Sequence, residues 1–223
     1  MSAPALGWWG SDSITLSAFF QLTSGTDGSG PGAIGTLDQL YGAGGDFDAA
    51  PAYLIPAEFP AQPQTFDGDG FALDGGYSNR KPDTQNLDET LVPHVFIWAE
   101  NATMLEGMDS ATGFVDQRIA ALVRVRRDEN AASNAGGYGV TVAREFAQRQ
   151  ALNLCRGVSY LLLRDLPATC RTLIADGFGV CYSVESEPPA FTPNFGGDGD
   201  TYTDAIVLIS VIQLRATPAN SGV

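Results

Sequence analysis

The chain has 223 residues, 44 % of them hydrophobic and 17 % charged, with a formal net charge of -14. That length fits one domain, or one domain with a substantial extension. The acidity argues against partners held by broad contact with nucleic-acid phosphates or an anionic membrane, which need a basic surface. The sequence has no apolar run of the roughly 18 residues that a spanning helix needs. The segment MSAPALGWWGSDS lacks the basic region and apolar run of a signal peptide, so no membrane or secretory route is expected. Cys155, Cys170 and Cys181 are few, widely spaced and set in apolar segments, which reads as buried thiols in a reducing compartment.

Basic residues are unevenly placed. Lys81 is the only lysine, and nine of the eleven arginines fall between Arg118 and Arg171. Residues 36–110 instead hold thirteen acids against Arg80 and Lys81. Codon bias is one explanation of the missing lysine. The other is that guanidinium groups suit bidentate pairing with carboxylates at interfaces, so that an arginine-bearing half and an acidic half could pair between subunits.

In chain order, residues 1–23 contain Trp8, Trp9, Phe19 and Phe20 with few charges. The tryptophan pair can pack on its own domain or dock on a neighbour. The glycine-dense stretch that follows contains Gly30, Gly32 and Gly35 at a dinucleotide-fingerprint spacing. No convincing strand leads into it, and Pro31 sits inside the turn, so a nucleotide site is not expected. Residues 47–88 carry five prolines and almost no regular period. Long irregular stretches of this kind are usually functional loops or arms that order against a partner. Asp67, Asp69 and Asp74, and later Asp198, Asp200 and Asp204, superficially suggest calcium loops. The first set lacks a third acid at proper spacing and a closing bidentate glutamate, and both read better as hydrated acidic turns.

Residues 91–99 (LVPHVFIWA) form the first firm strand, apolar on both faces, with the sole histidine, His94, beside Phe96 and Trp98. Residues 114–127 alternate: Val115, Ile119, Ala121, Val123 and Val125 share one face. Asp116, Arg118, Arg124 and Arg126 fall on the other, which reads as solvated or partner-facing. Residues 128–139 form a flexible link. A helix is expected over 139–166, with Ala143, Ala147, Leu154, Val158, Leu161 and Leu162 as its stripe and Pro167 as its stop. Gly157 fits a close approach or a bend. Strands are expected again over 178–185 and 202–215, the last apolar on both faces.

The expected fold is therefore α+β: a small, mainly antiparallel four-stranded sheet in ββαββ order with one long helix on one face. Residues 1–90 form an irregular acidic extension, 91–216 the core domain and 217–223 a tail. A Ser-His-Asp or Cys-His mechanism would have to use His94, and there is no G-x-S-x-G elbow, Walker motif or clustered zinc-ligand set. The reading is non-enzymatic, with no catalytic residue, metal or cofactor.

The segments VPHVFIWAEN, IAALVRVRR, VAREFAQRQALNLCRGVSYLLLRDLP and AIVLISVIQL, in that order, resemble the tail terminator proteins of tailed bacteriophages. The resemblance covers about residues 91–216 and rests on element order and texture, without a diagnostic motif. Family terminators often begin with a helix, where this chain has a long Gly/Pro-rich region. The resemblance implies a structural virion protein, assembled in the host cytoplasm, that forms a hexameric ring at the neck. Such a ring caps the tail tube, joins it to the head–tail connector or adaptor and lets DNA pass without specific binding. Charge agrees, because a negative lumen repels phosphate. Asp67, Asp69, Asp74, Asp198 and Asp200 are the candidate lumen-facing acids. Arg118, Arg124, Arg126, Trp8 and Trp9 are the candidate contacts to the next subunit. The alternatives are another tail-completion or adaptor protein, and an acidic ligand-binding or hydrolytic α+β domain with calcium loops.

Overall fold

The computed structural model describes residues 37–51, 54–56, 58–60, 76–79, 81–82, 92–105, 112–127, 140–175, 180–191 and 202–216. They form a mixed α/β structure with one sheet and one long helix. In chain order the elements are α1 (Leu37–Tyr41), β1 (Tyr77–Ser78), β2 (His94–Ala99), β3 (Thr103–Leu105), β4 (Thr112–Arg126), α2 (Val140–Ala175), β5 (Val180–Ser186), β6 (Ala190–Phe191) and β7 (Tyr202–Ala216). No helix among the described residues is long and apolar enough to cross a membrane.

Among the described residues the sheet has seven strands where the sequence reading expects four. Its order is β1-β2-β4-β7-β5, with β3 also on β4 and β6 also on β7. The difference has a physical reason, because two lines of pairing are each interrupted. Along β4, β2 pairs from Ile119 to Arg124 and β3 from Phe114 to Asp116, and the Glu100 N–H still donates to the Arg118 carbonyl at 2.8 Å between them. Along β7, β5 pairs from Ile209 to Leu214 and β6 at Ala205 and Ile206. Pro188 and Pro189 stand in that second gap, where a residue without an N–H cannot donate to the ladder. The remaining strand, β1, is two residues long and pairs parallel to β2 through Tyr77 and Ser78. A pair of residues is too short to leave a period in the sequence.

The frame of the sheet is the antiparallel pair β4–β7, fifteen residues each, in register from Thr112 opposite Ala216 to Arg126 opposite Tyr202. Alternation along both strands sends Ile119, Ala121, Val123, Val125, Ala205, Val207, Ile209 and Val211 to one face. There they form the core with Ala151, Leu154, Cys155, Val158, Leu161, Leu162 and Leu166 of α2. These helix residues recur at three- and four-residue steps, so one stripe of a regular helix meets the sheet.

α2 is longer than expected. It runs 36 residues, roughly 54 Å at 1.5 Å per residue, and passes through Pro167 instead of ending before it. Proline removes the N–H that would bond the Leu163 carbonyl. Leu163 is on the exposed side, where water can take that carbonyl's bond, so the helix continues.

The core also reaches back before residue 91, across the expected domain boundary. Leu37, Leu40, Tyr41 and Tyr77 belong to it, with Phe47, Ile55 and Phe59 packed against them. α1 lies on α2 at Gly157, where an added Cβ would come within 2.9 Å of Leu37 Cδ2 and 3.1 Å of the Tyr41 hydroxyl. Gly157 thus serves close approach, one of its two expected uses. The Tyr41 hydroxyl donates to the Asn153 carbonyl at 2.7 Å, and the Asn153 side-chain amide donates to the Leu54 carbonyl. The Tyr160 hydroxyl donates to Asp46 at 2.7 Å, fastening the turn after α1. The sequence reading places Asn153 off the apolar stripe, yet it is buried because this segment covers it.

Candidate functional site

The second face of the sheet carries the polar residues of β2, β4 and β7. Phe96, Trp98, Ala120 and Leu122 form a small apolar cluster there, flanked by Ile206 and Leu208. Antiparallel register places His94 directly opposite Arg124, and Arg124 directly opposite Asp204. One row thus crosses three strands on one face: imidazole, guanidinium, carboxylate.

The row is buried. Arg124 and Asp204 are each 1 % exposed and His94 4 %. Arg124 Nε donates to Asp204 Oδ1 at 2.8 Å and Nη2 to Oδ2 at 2.7 Å, a bidentate pair. The Arg124 guanidinium carbon stands 5.8 Å from the ring centres of both Phe96 and Tyr202. The His94 and Phe96 rings are 4.4 Å apart. Two ions removed from water cost several kcal/mol each unless geometry returns that energy. A planar fork on a carboxylate, with aromatic faces beside it, is the geometry best suited to return it. The pair holds β4 to β7 at one end of the sheet, and each charge neutralises the other.

Arg124 is therefore not the subunit contact that the sequence reading expects of it, since its guanidinium is enclosed within its own chain. Asp204 likewise is not part of an acidic loop with Asp198 and Asp200, because it is a strand residue of β7 opposite Arg124. Alternation correctly assigns Arg124 to the non-core face but cannot say whether that face is wet. A stronger signal lay in parity: Arg124 shares its face with Leu122, and Asp204 shares its face with Ile206 and Leu208. A charge in step with apolar neighbours on a two-sided strand needs a buried opposite charge.

The other arginines differ. The Arg118 side chain is 41 % exposed and donates from Nε to Asp116 Oδ2 at 3.0 Å, with Glu187 at 3.8 Å. The Asp116 hydrogen bond holds the Arg118 guanidinium charged, its pKa above the ordinary value. Arg126 is exposed at the end of β4, opposite Tyr202. Arg127 donates from Nε to the Thr203 hydroxyl at 3.0 Å. Trp98 donates from its indole N–H to Glu100 at 2.6 Å, and Lys81 lies 6.0 Å from its ring centre. Trp8, Trp9, Asp67, Asp69, Asp74, Asp198 and Asp200 lie outside the described residues.

Among the described residues, no group of three or more His, Cys, Asp or Glu side chains is placed to hold a metal ion. Cys155 is fully buried in the core under α2, and burial pushes its thiol pKa well up, which keeps it protonated and poorly nucleophilic. The described residues thus define a class by architecture: a sheet with one face sealed by a long helix and the other tied by a buried ion pair, with exposed arginine beside it. No protein-family model matches the chain, and no curated protein matches it.

Proposed function

We propose that the protein is a structural virion component that forms a sixfold ring at the neck of a tailed bacteriophage. In this reading it caps the tail tube, meets the head–tail connector or adaptor, and leaves a passage for DNA without binding it specifically. It is assembled in the host cytoplasm, has no catalytic role and needs no cofactor. β2, β4, α2, β5 and β7 act as a ββαββ core, which β1, β3 and β6 extend.

The observation that carries the reading is a small sheet backed by a single long helix, in a subunit whose arginines and acids are segregated. A ring closed by heterologous contacts needs two different complementary patches on each subunit. Arg126 is exposed and Arg118 half-exposed on the β4 face, so they can reach an acidic neighbour, while the Arg124–Asp204 pair stiffens the strand behind them. A net charge of -14 suits a lumen that repels phosphate.

Negative-stain imaging of the purified protein tests this reading. Rings with sixfold symmetry and a central opening are expected. Particles without rotational symmetry under any tested concentration and salt would overturn it.

A further inference from the structure

The long helix α2 carries a charge that the rest of the chain does not. The helix holds five of the chain's twelve basic residues, Arg144, Arg149, Arg156, Arg164 and Arg171, and two of its 26 acids, Glu145 and Asp165. The remainder therefore holds seven bases against 24 acids. No lysine or arginine precedes Arg80, while residues 1–79 contain nine acids.

Helical spacing brings part of this charge to one ridge. Glu145, Arg149, Leu152, Arg156 and Leu163 follow steps of four, three, four and seven, so they line one side of the helix. That side points away from the core stripe. Glu145, Arg149 and Arg156 are exposed and Leu163 is 36 % exposed, while Leu152 between them is half-buried against the core cluster. Arginine is enriched at interface centres, where lysine and glutamate are depleted.

The complementary surface is held rigidly on the same fold. Asp38, Asp46, Asp48 and Glu58 are all exposed on the segment that α1 anchors to α2. That segment is fixed by the close approach at Gly157, the Tyr41–Asn153 bond and the Tyr160–Asp46 bond. It therefore presents its carboxylates with little ordering to lose on docking.

We infer that the Arg149–Arg156–Leu163 ridge of α2 is a docking surface for a second copy of this chain, which meets it with its own acidic surface around Asp38 and Glu58. This goes beyond the ring reading and requires only that copies associate. The contact adds a helix-borne positive patch to the β4 arginines. Its charges make association salt-sensitive, and Leu163 supplies the apolar part.

Sedimentation velocity on the full chain tests it, comparing wild type with R149E/R156E, R149Q/R156Q and D38K/E58K. The altered residues are exposed, so far-UV circular dichroism and melting temperature should match wild type. We expect the glutamate variant to self-associate at least about tenfold more weakly, with the glutamine variant between it and wild type. Mixing the glutamate and lysine variants should restore mixed complexes. Equal association of wild type and both arginine variants would overturn the inference, as would a wild type that never associates. The ring reading is judged separately in the same samples. Rings that persist in R149E/R156E would sink the ridge and leave the ring, whereas a wild-type dimer lost in that variant, with no ring at any stage, would do the reverse.

Discussion

The two faces of the sheet solve burial differently. Under α2 the solution is many interchangeable aliphatic contacts, with Ile119, Ala121, Val207 and Ile209 wholly buried against Leu154, Val158 and Leu161. On the opposite face a small apolar cluster adjoins one row in which Arg124 and Asp204 must both be present. Each face also carries polarity at a buried position, and the two cases diverge. Arg124 has its partner across the ladder. Gln117 lies on the core face opposite Val211, 0 % exposed, and neither of its side-chain amide atoms has a hydrogen-bond partner among the described residues. Aliphatic burial degrades in proportion to what is removed, while a buried ion pair fails when either half is removed.

The largest effect is expected from Asp204→Ala. It strands a buried guanidinium, and chemical denaturation should report a loss of about 3–5 kcal/mol. Replacing both partners, as in R124M/D204L, should recover most of that loss, because no uncompensated charge is left behind. If the double variant were as unstable as the single one, the ion pair would not be the reason for the loss.

Leu154→Ala on the other face should cost about 2–5 kcal/mol, set by how far the core can collapse into the space. Gln117→Met should move stability the opposite way, by about 1–3 kcal/mol, since it removes an unsatisfied amide of similar volume. A loss on that substitution would mean that Gln117 has a partner in solution.

Burial raises the pKa of Cys155, Tyr41 and Tyr77 above their ordinary values. All three are neutral when protonated, so the unfolded chain releases protons first as pH rises. Their contribution to stability is complete below the ordinary thiol and phenol range. It should decline from about pH 9 upward, at about 1.4 kcal/mol per pH unit for each group once it titrates. Melting curves at pH 8, 9 and 10 would check the sign. Arg126→Ala should change stability least, by less than about 1 kcal/mol, because its side chain is exposed at the end of β4.

Much of the fold is legible in the sequence where a period is long enough to read. The alternation of β4 and the stripe of α2 name most of the core directly. Residues 37–41 and 77–78 are legible only after folding, since a single helical turn or two strand residues carry no period and are held by what they touch. Pro167 misleads because its cost depends on whether the carbonyl it abandons faces water. The Arg124–Asp204 pair is 80 residues apart in the chain, and only register brings it together. Of the candidate contact residues, sequence parity places Arg118, Arg124 and Arg126 on the correct face, but solvent access separates Arg126 from Arg124.

The most direct test of a ring-forming subunit is its mass in solution by multi-angle light scattering across a concentration series. A chain of 23.5 kDa that builds the proposed ring should settle at six times that mass and hold it on dilution. A single species at the monomer mass, at every concentration and salt tested, would contradict the account.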